Sequence, residues 1–215
     1  MKRYRTPREV LAEIVQVLAA KTRAPGQDQP LQEVVDAIAA GRHYFWSAIY
    51  LVIGDRVYCQ ASHGPLCSRP VVKLGEGLVG TVAKSGTYIL EADVSGNRDY
   101  LKVFPETRSE LAVPIKIGSH VLGVINIEHT QTHGLSTEDR IMAEEIAQQL
   151  ALFLSGRGKY VLMKAREATR QTAKAADAGD ITQAFDINAV PSIKPERAVA
   201  ARAGQSLAVG DKART

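Results

Sequence analysis

Apolar positions in the first forty residues recur every three or four residues, which is the spacing of amphipathic helices. The first such stretch covers residues 6–23, where Thr6 with Glu9 three positions later has the pattern of a capping box. The segment APGQDQP interrupts the pattern. A second amphipathic helix is predicted over residues 30–40.

The middle of the chain changes to the composition and spacing of β-strands. Gly54-Asp55 and Gly118-Ser119 each lie between two apolar segments rich in β-forming residues, which indicates two hairpins. The strands are predicted, in chain order, over residues 45–53, 56–61, 71–74, 111–117 and 121–128.

Three further helices are predicted over residues 77–84, 136–155 and 160–176. Between the first of these and the second hairpin lies a polar loop over residues 91–107, with one helical turn expected near residues 99–104. The buried face of the helix that starts at Ser136 is predicted to consist of Ile141, Met142, Ile146, Leu150, Leu152 and Phe153.

These elements predict an α+β fold, in which a central antiparallel sheet has its helices on one side. We expect four segments: an N-terminal helix and linker over residues 1–29, a folded domain over 30–156, a helical extension over 157–177 and a low-complexity tail over 178–215. The tail is rich in alanine and poor in aromatic residues, so that we expect it to be disordered unless a partner orders it.

The net charge of +4 is unevenly distributed. Residues 157–215 carry 11 Lys and Arg against 6 Asp and Glu, and the remainder of the chain is therefore close to neutral. A basic charge spread over an extension, without a basic cluster on one face, makes nucleic acid an unlikely partner. A protein partner for residues 159–215 is an alternative to a solvated tail.

Composition also limits the classes of protein that the chain can belong to. No apolar run is long enough to cross a bilayer, and the N-terminus lacks the apolar core of a secretory signal, so that we expect a cytoplasmic protein with no membrane partner. Cys59 and Cys67 are too few and too loosely spaced for a disulfide framework or a zinc site. The five histidines show no metal-ligand spacing, and no cofactor is predicted.

Three segments carry a resemblance to a known family: GEGLVGTVAKSG, FPETRSELAVPI and VLGVINIE. In this order they resemble the second half of a GAF domain. The resemblance implies a sheet with the N- and C-terminal helices on one face and a ligand pocket on the other. It also implies a homodimer formed through those helices.

Local sequence is similar to a group of GAF enzymes, the free methionine-(R)-sulfoxide reductases. The segments WSAIY and RSELAVP match, and the resemblance implies a substrate-binding acidic residue at Glu110 and a second at Glu128. Seven residues before Glu110, where those enzymes place the nucleophilic cysteine, this chain has Val103. Cys67 lies too far from the GEG turn to match another family cysteine, and Val79 stands where a cysteine is common.

The candidate ligand-binding residues are aromatic or charged and lie around the predicted pocket. Trp46 and Tyr50 share one face of their strand, with Phe45 and Ile49 expected on the other, and an ordinary core is the alternative to an aromatic pocket wall. For Glu110 the alternative is a solvated strand end paired with Arg108, and for Glu128, with His129 beside it, the alternative is a salt bridge at the loop end. The full set is Trp46, Tyr50, Tyr100, Phe104, Arg108, Glu110 and Glu128.

Three functional hypotheses follow. The first is a non-catalytic sensor or regulatory subunit that binds a small anionic or amino-acid-like ligand and signals through its outer helices or its tail. The second is a divergent methionine sulfoxide reductase that uses Cys67, because sulfoxide reduction requires a thiolate. The third is a scaffold subunit with a closed pocket. No catalytic residue and no metal ligand is assigned.

Overall fold

The fold was analysed in a computed structural model that describes residues 4–20, 29–156 and 158–177. The predicted disordered tail, residues 178–215, lies outside the described residues. None of the helices described is long and apolar enough to span a bilayer. The helices are α1 (Pro7–Ala19), α2 (Pro30–Arg42), α3 (Gly77–Ser85), α4 (Thr137–Ser155) and α5 (Lys159–Asp177).

All neighbouring strands in the single sheet are antiparallel, and their spatial order is β3-β2-β1-β6-β5-β4. The two long hairpins, β1–β2 and β5–β6, pair through β1 and β6 at the centre of the sheet. The strands are β1 (Trp46–Ile53), β2 (Arg56–His63), β3 (Val71–Lys73), β4 (Ile89–Glu91), β5 (Ser109–Ile117) and β6 (His120–His129).

The sheet separates two apolar clusters. On one face, α2 and α4 lie on the strands, α1 packs against both of these helices, and α5 contacts α4 and β1. The other face carries α3 alone, with a smaller cluster around Trp46, Tyr50 and Phe104. This is the predicted α+β arrangement, and the smaller cluster lies on the face that was expected to hold a pocket.

A buried ion pair joins the helices to the start of β1. The guanidinium of Arg42, at the end of α2, donates to Asp139 Oδ1 at 2.6 Å from its Nη2 and 3.2 Å from its Nε. The hydroxyl of Tyr44 donates to the same oxygen at 2.5 Å, and Arg42 Nη1 donates to the carbonyl of Arg5 before α1. Because Asp139 Oδ2 also accepts from Ser136, this one carboxylate caps α4 as well.

Local sequence signals that specify ends of elements are confirmed. Thr6 with Glu9 and Ser136 with Asp139 form capping boxes at the starts of α1 and α4. The Gly118-Ser119 turn joins β5 to β6, and Gly118 has the left-handed backbone (φ +57°) that such turns require.

The predicted helical turn near residues 99–104 is wrong. The turn lies earlier, as a 3₁₀ turn at Val94–Gly96, because the Asp93 carboxylate accepts from the backbone N–H of Ser95 and fixes it there. The sequence prediction also missed β4, a three-residue edge strand that pairs with residues Glu110 to Ala112 of β5.

The predicted buried face of α4 is wrong at two positions. Ile141 is 45% exposed and Leu152 is 63% exposed, whereas Met142, Ile146 and Leu150 are fully buried. The helix contacts the sheet along one stripe only, so that apolar residues on its opposite side remain at the surface. Similarly, α2 continues past Gly41 to Arg42, and His43 ends it in a left-handed conformation.

We expect Asp139→Asn to lower the free energy of unfolding by about 3–5 kcal/mol, because the buried Arg42 would lose its charged partner. Equilibrium urea unfolding measures this loss. The matched control is Glu138→Gln, since the Glu138 side chain is 61% exposed and lies 3.4 Å from the same guanidinium. A change below about 1 kcal/mol is expected there. Equal losses in the two variants would show that the buried pair does not hold the helices together.

Candidate ligand-binding site

Carboxyl groups from three neighbouring strands form a row across the sheet. Glu91 of β4 lies opposite Glu110 of β5, which lies opposite Glu128 of β6, and Trp46 of β1 completes the row. Side chains at directly opposite positions in antiparallel strands have Cβ atoms about 5 Å apart. Strand register alone therefore brings Glu110 and Glu128 together.

Both central carboxyls are buried, Glu110 at 5% exposure and Glu128 at 3%. Glu128 accepts hydrogen bonds from the hydroxyl of Thr107 and from Asn126 Nδ2, the latter at 3.3 Å. Within the residues that the structure describes, no lysine, arginine or histidine forms an ion pair with either carboxyl. Glu110 is therefore not at a solvated strand end, and Glu128 forms no loop-end salt bridge with a described residue.

Burial without a cation changes the acidity of the pair. Burial raises the pKa of Glu110 well above its ordinary value, and the nearby charge of Glu128 raises it further. Burial raises the pKa of Glu128 to about 7, against the opposing effect of the hydrogen bonds from Thr107 and Asn126. Both raised pKa values favour the protonated form of the carboxyls relative to that of an exposed glutamate.

Aromatic rings form one wall beside the carboxyls. The Trp46 ring lies 5.3 Å from that of Phe104 and 6.3 Å from that of Tyr50, between ring centroids. Alternation along the strand predicted that Phe45 would lie with Ile49 on the opposite face, and this prediction is wrong. Phe45 precedes β1, and its ring meets Phe104 edge-on at 5.6 Å.

A cavity lies between this face of the sheet and the N-terminal turn of α3. Its volume of about 20 Å³ is enough for one water molecule and too small for an amino acid. A Cβ at Gly80 would lie 2.2 Å from the carbonyl oxygen of Lys73, so that glycine is needed for α3 to pack this closely. The lining residues are Tyr50, Val72, Glu76, Gly77, Leu78, Val79, Leu101, Val103, Glu110, Asn126 and Glu128.

Three buried polar atoms at this end of the sheet have no hydrogen-bond partner: Trp46 Nε1, Tyr100 Oη and Asn126 Oδ1. Buried polar groups are nearly always paired, and those that are not often mark a site for water or ligand. Of these residues, Asn126 lines the cavity directly. The set contains at least one donor and one acceptor, which suits a ligand with groups of both kinds.

The loop over residues 92–107 covers the cavity and is tied to the carboxyl row at both ends. Asn97 Nδ2 donates to Glu91 Oε2 at 2.6 Å, and Thr107 donates to Glu128. Leu101 and Val103 of this loop line the cavity. A ligand larger than water therefore requires the elements that enclose the cavity, among them this loop and α3, to move apart.

The structure places five of the seven predicted site residues around this cavity or in its aromatic wall, namely Trp46, Tyr50, Phe104, Glu110 and Glu128. Tyr100 lies nearby, where burial and the charge of Glu128 raise its pKa to about 12. The seventh, Arg108, is exposed and donates to the carbonyls of Pro105 and Thr107, away from the carboxyls. Strand alternation would place Arg108 on the same face as Glu110, but Arg108 lies before β5 begins, so that alternation does not apply to it.

Sequence reasoning missed Asn126 and Thr107. A signal existed for Asn126: it is the only polar residue inside the apolar run Val124 to Ile127, and it is two residues from Glu128 and so on the same strand face. Thr107 gave no comparable signal, because its contact depends on the path of the loop.

Neither cysteine lines the cavity, although Cys67 lies near enough to Glu128 for that carboxyl to contribute to raising the pKa of the thiol. Cys59 and Cys67 are both buried free thiols, and Cys67 Sγ is 3.8 Å from the hydroxyl of Tyr50. Burial raises the pKa of Cys59 to about 12 and that of Cys67 above its ordinary value, so that both thiols are poor nucleophiles at neutral pH. The residues that line the cavity where the reductases carry cysteines are Val79 and Val103. No group of three or more potential metal ligands occurs in the described part of the chain.

A comparison with models of known protein families identifies the family of this chain. The family model described as the GAF domain matches residues 8–155, and the chain therefore belongs to the GAF domain family. No curated protein sequence is significantly similar to the chain.

Solved structures with this fold include enzymes and binding domains. The type II free methionine-R-sulfoxide reductase of Thermoplasma acidophilum is 27% identical, with a TM-score of 0.56, over 57% of this chain and 88% of that one. The free methionine-R-sulfoxide reductase of Neisseria meningitidis in complex with its substrate is 22% identical, with a TM-score of 0.63, over 80% and 99%. The GAF domain of a phosphoenolpyruvate-protein phosphotransferase from Coxiella burnetii is 22% identical, with a TM-score of 0.63, over 73% and 97%.

The raised pKa values predict how the carboxyl pair makes stability depend on pH. The folded state holds protons on the pair more tightly than the unfolded state, so that the contribution of the pair to stability is greatest in acid. It falls as the pH rises from about 4.3, the pKa of an unfolded glutamate, through the pKa of the folded pair. We expect the wild type to lose about 1–3 kcal/mol more than Glu110→Gln between about pH 5 and pH 8.

Urea unfolding at the two pH values measures this difference. Glu145→Gln makes the same chemical change on the exposed side of α4 and should follow the wild type. If the wild type and Glu110→Gln lost stability equally, the carboxyl pair would not be the source of the effect.

Proposed function

We propose that this protein is a non-catalytic GAF sensor or regulatory subunit whose cavity beneath α3 binds a small ligand with an ammonium group, such as a free amino acid. The observation that carries the proposal is the buried pair Glu110 and Glu128, which has no cationic partner among the described residues. A buried carboxylate pair is costly unless a cation or a proton compensates it.

An amino-acid-like ligand fits the other groups around the pair. The ammonium would contact the carboxyls and the free Asn126 Oδ1, while Trp46 Nε1 and the Tyr100 hydroxyl supply donors for an oxygen of the ligand. The ring of Trp46 and the side chains of Val79 and Val103 offer apolar contacts to a side chain. A ligand with negative charge only, which the sequence left open, would be repelled by the carboxyl pair.

The valines at positions 79 and 103 support binding without turnover. Reduction of a sulfoxide needs a thiolate that reaches the sulfur atom and a second thiol that resolves the product. In this chain the cavity residues that correspond to family cysteines are aliphatic, and Cys67 contacts Tyr50 instead. We therefore place the protein among the sensors and not among the enzymes.

The signal is proposed to leave through the outer helices or the extension from Lys159. Exposed apolar side chains on α1 and α4, namely Val15, Ile141 and Leu152, support a homodimer formed through these helices. A cytoplasmic location and a protein partner for residues 159–215 stay predictions from the sequence.

The reductase remains the second candidate, because the Thermoplasma acidophilum structure is both a GAF protein and an enzyme. We expect no turnover of free L-methionine-R-sulfoxide when the purified protein is assayed with thioredoxin, thioredoxin reductase and NADPH. Oxidation of NADPH that depends on the protein and is lost in Cys67→Ser would establish the enzyme. The Cys59→Ser variant is the control for a buried thiol elsewhere in the same cluster.

The third candidate, a scaffold without a ligand, is favoured by the small cavity alone. A thermal-shift panel distinguishes it from a sensor: free methionine and its sulfoxide, other amino acids, nitrate, small carboxylates, cyclic nucleotides and haem. A ligand at about 100 times its Kd stabilises by roughly 2.7 kcal/mol, which corresponds to about 5–10 °C in Tm for a chain of this size.

We expect a shift with one or more amino acids that is absent in Glu110→Gln and retained in Glu145→Gln. The first substitution removes a carboxylate from the cavity and the second removes one from the surface. No shift with any compound would favour the scaffold, and a shift with nitrate or carboxylates alone would contradict the ammonium site.

A further inference from the structure

The carboxyl pair raises the question of what balances its charge when no ligand is present. Glu110 and Glu128 occupy directly opposite positions on β5 and β6, and both are almost completely buried. Two ionised carboxylates this close in a dry environment repel each other strongly, and one of them is normally protonated.

Every element around the pair contributes an acidic or neutral group. Glu91 faces it from β4, Glu76 lines the same cavity at the start of α3, Tyr50 projects from β1, and Tyr100 and Cys67 lie on the neighbouring loops. These groups add negative charge or none.

Arg108 is the described lysine or arginine that is nearest in sequence to the pair, and it does not balance the charge of the two carboxyls. Arg108 is exposed, and its guanidinium is occupied with the carbonyl oxygens of Pro105 and Thr107. Asn126 offers the pair one N–H through its Nδ2, and its Oδ1 is a buried acceptor without a donor. A protonated carboxyl is the kind of group that such an acceptor needs.

We propose that the ligand-free site holds one proton between Glu110 and Glu128, and that the ammonium group of the ligand replaces this proton when it binds. The inference rests on the proposed function. The proton leaves to the buffer and both carboxylates become ionised. Counted over the carboxyl pair and the ammonium group, the net charge is unchanged, because the positive charge of the ammonium replaces that of the proton. The O–H bond of the protonated carboxyl breaks as the proton passes to a buffer base, and no other covalent bond changes.

Proton exchange makes binding depend on pH in a defined direction. Because each bound ligand releases about one proton, its affinity should rise about tenfold per pH unit while the pair is protonated. The rise should end above the pH at which the free pair loses its proton. A site whose carboxylates were already ionised would show no such rise.

Two measurements on the full chain test this. In the first, the Glu carboxyl carbons are labelled with ¹³C and the ligand-free protein is titrated by NMR. We expect one buried carboxyl to titrate near or above neutral pH, with that transition removed in Glu110→Gln or Glu128→Gln and retained in Glu145→Gln.

In the second, L-methionine, and methylammonium as the bare cation, are titrated calorimetrically near pH 6 in phosphate and in Bis-Tris, whose ionisation heats differ. The difference in the measured heats should correspond to release of about one proton per bound molecule. In Glu110→Gln we expect at least tenfold weaker binding without proton release. Because glutamine has the shape of the protonated acid, this variant should stay folded, which circular dichroism checks.

The outcomes separate the two proposals. If both buried carboxyls titrate in the ordinary range of glutamate, the proton is absent and the inference is wrong, whatever the site binds. If amino acids bind with an affinity that does not change with pH, the sensor stands and the exchange is overturned. If the proton is present but neither probe binds and the thermal-shift panel is also blank, the ammonium-binding function fails, and the exchange fails with it.

Discussion

The register between β1, β6 and β5 is the constraint on which the candidate site depends. It places Trp46, Glu128 and Glu110 in one row across the centre of the sheet. A slip of one residue would turn every side chain to the opposite face and move the carboxyls into the helix-covered core. Large apolar residues at the alternate positions, such as Leu111 and Ile127, prevent this slip because they are fully buried under α4 and α2.

The two faces of the sheet differ in what they bury. The face beneath the helices contains the larger apolar cluster and the buried ion pair of Arg42 with Asp139, which connects the ends of α2 and α4 to β1. The face beneath α3 contains a smaller cluster, two buried carboxyls and several unpaired polar atoms. Stability is concentrated on the first face, which allows the second to keep groups that are costly to bury.

The cost of the carboxyl pair is the main argument that this face binds something. Replacement of Glu110 by an apolar residue would remove a desolvation penalty, and nothing in the fold requires a charge there. Acidic groups and aliphatic side chains line this cavity, and neither cysteine is among its lining residues. The loop over residues 92–107 covers the cavity. A ligand that displaces this loop would change the surface of the protein when it binds, as a sensor requires.

Sequence alone was sufficient for the α+β class, the two hairpins, the capped starts of α1 and α4, and the strand face shared by Trp46 and Tyr50. These features are local: they depend on spacing, turn residues and caps within a few positions along the chain. Glu110 and Glu128 were identified differently, through the resemblance of RSELAVP and VINIE to segments of the free methionine-(R)-sulfoxide reductases.

What only the tertiary structure decided depends on contacts between distant segments. Thr107 reaches Glu128 and Asn97 reaches Glu91 because of the path of the loop, while Arg108 lies outside the site. The exposure of Ile141 and Leu152 likewise depends on which stripe of α4 meets the sheet. Spacing along the chain shows which residues share a face. The lack of an ion-pair partner for the buried carboxyls among the described residues is a property of the packed molecule, because it depends on every element that surrounds them.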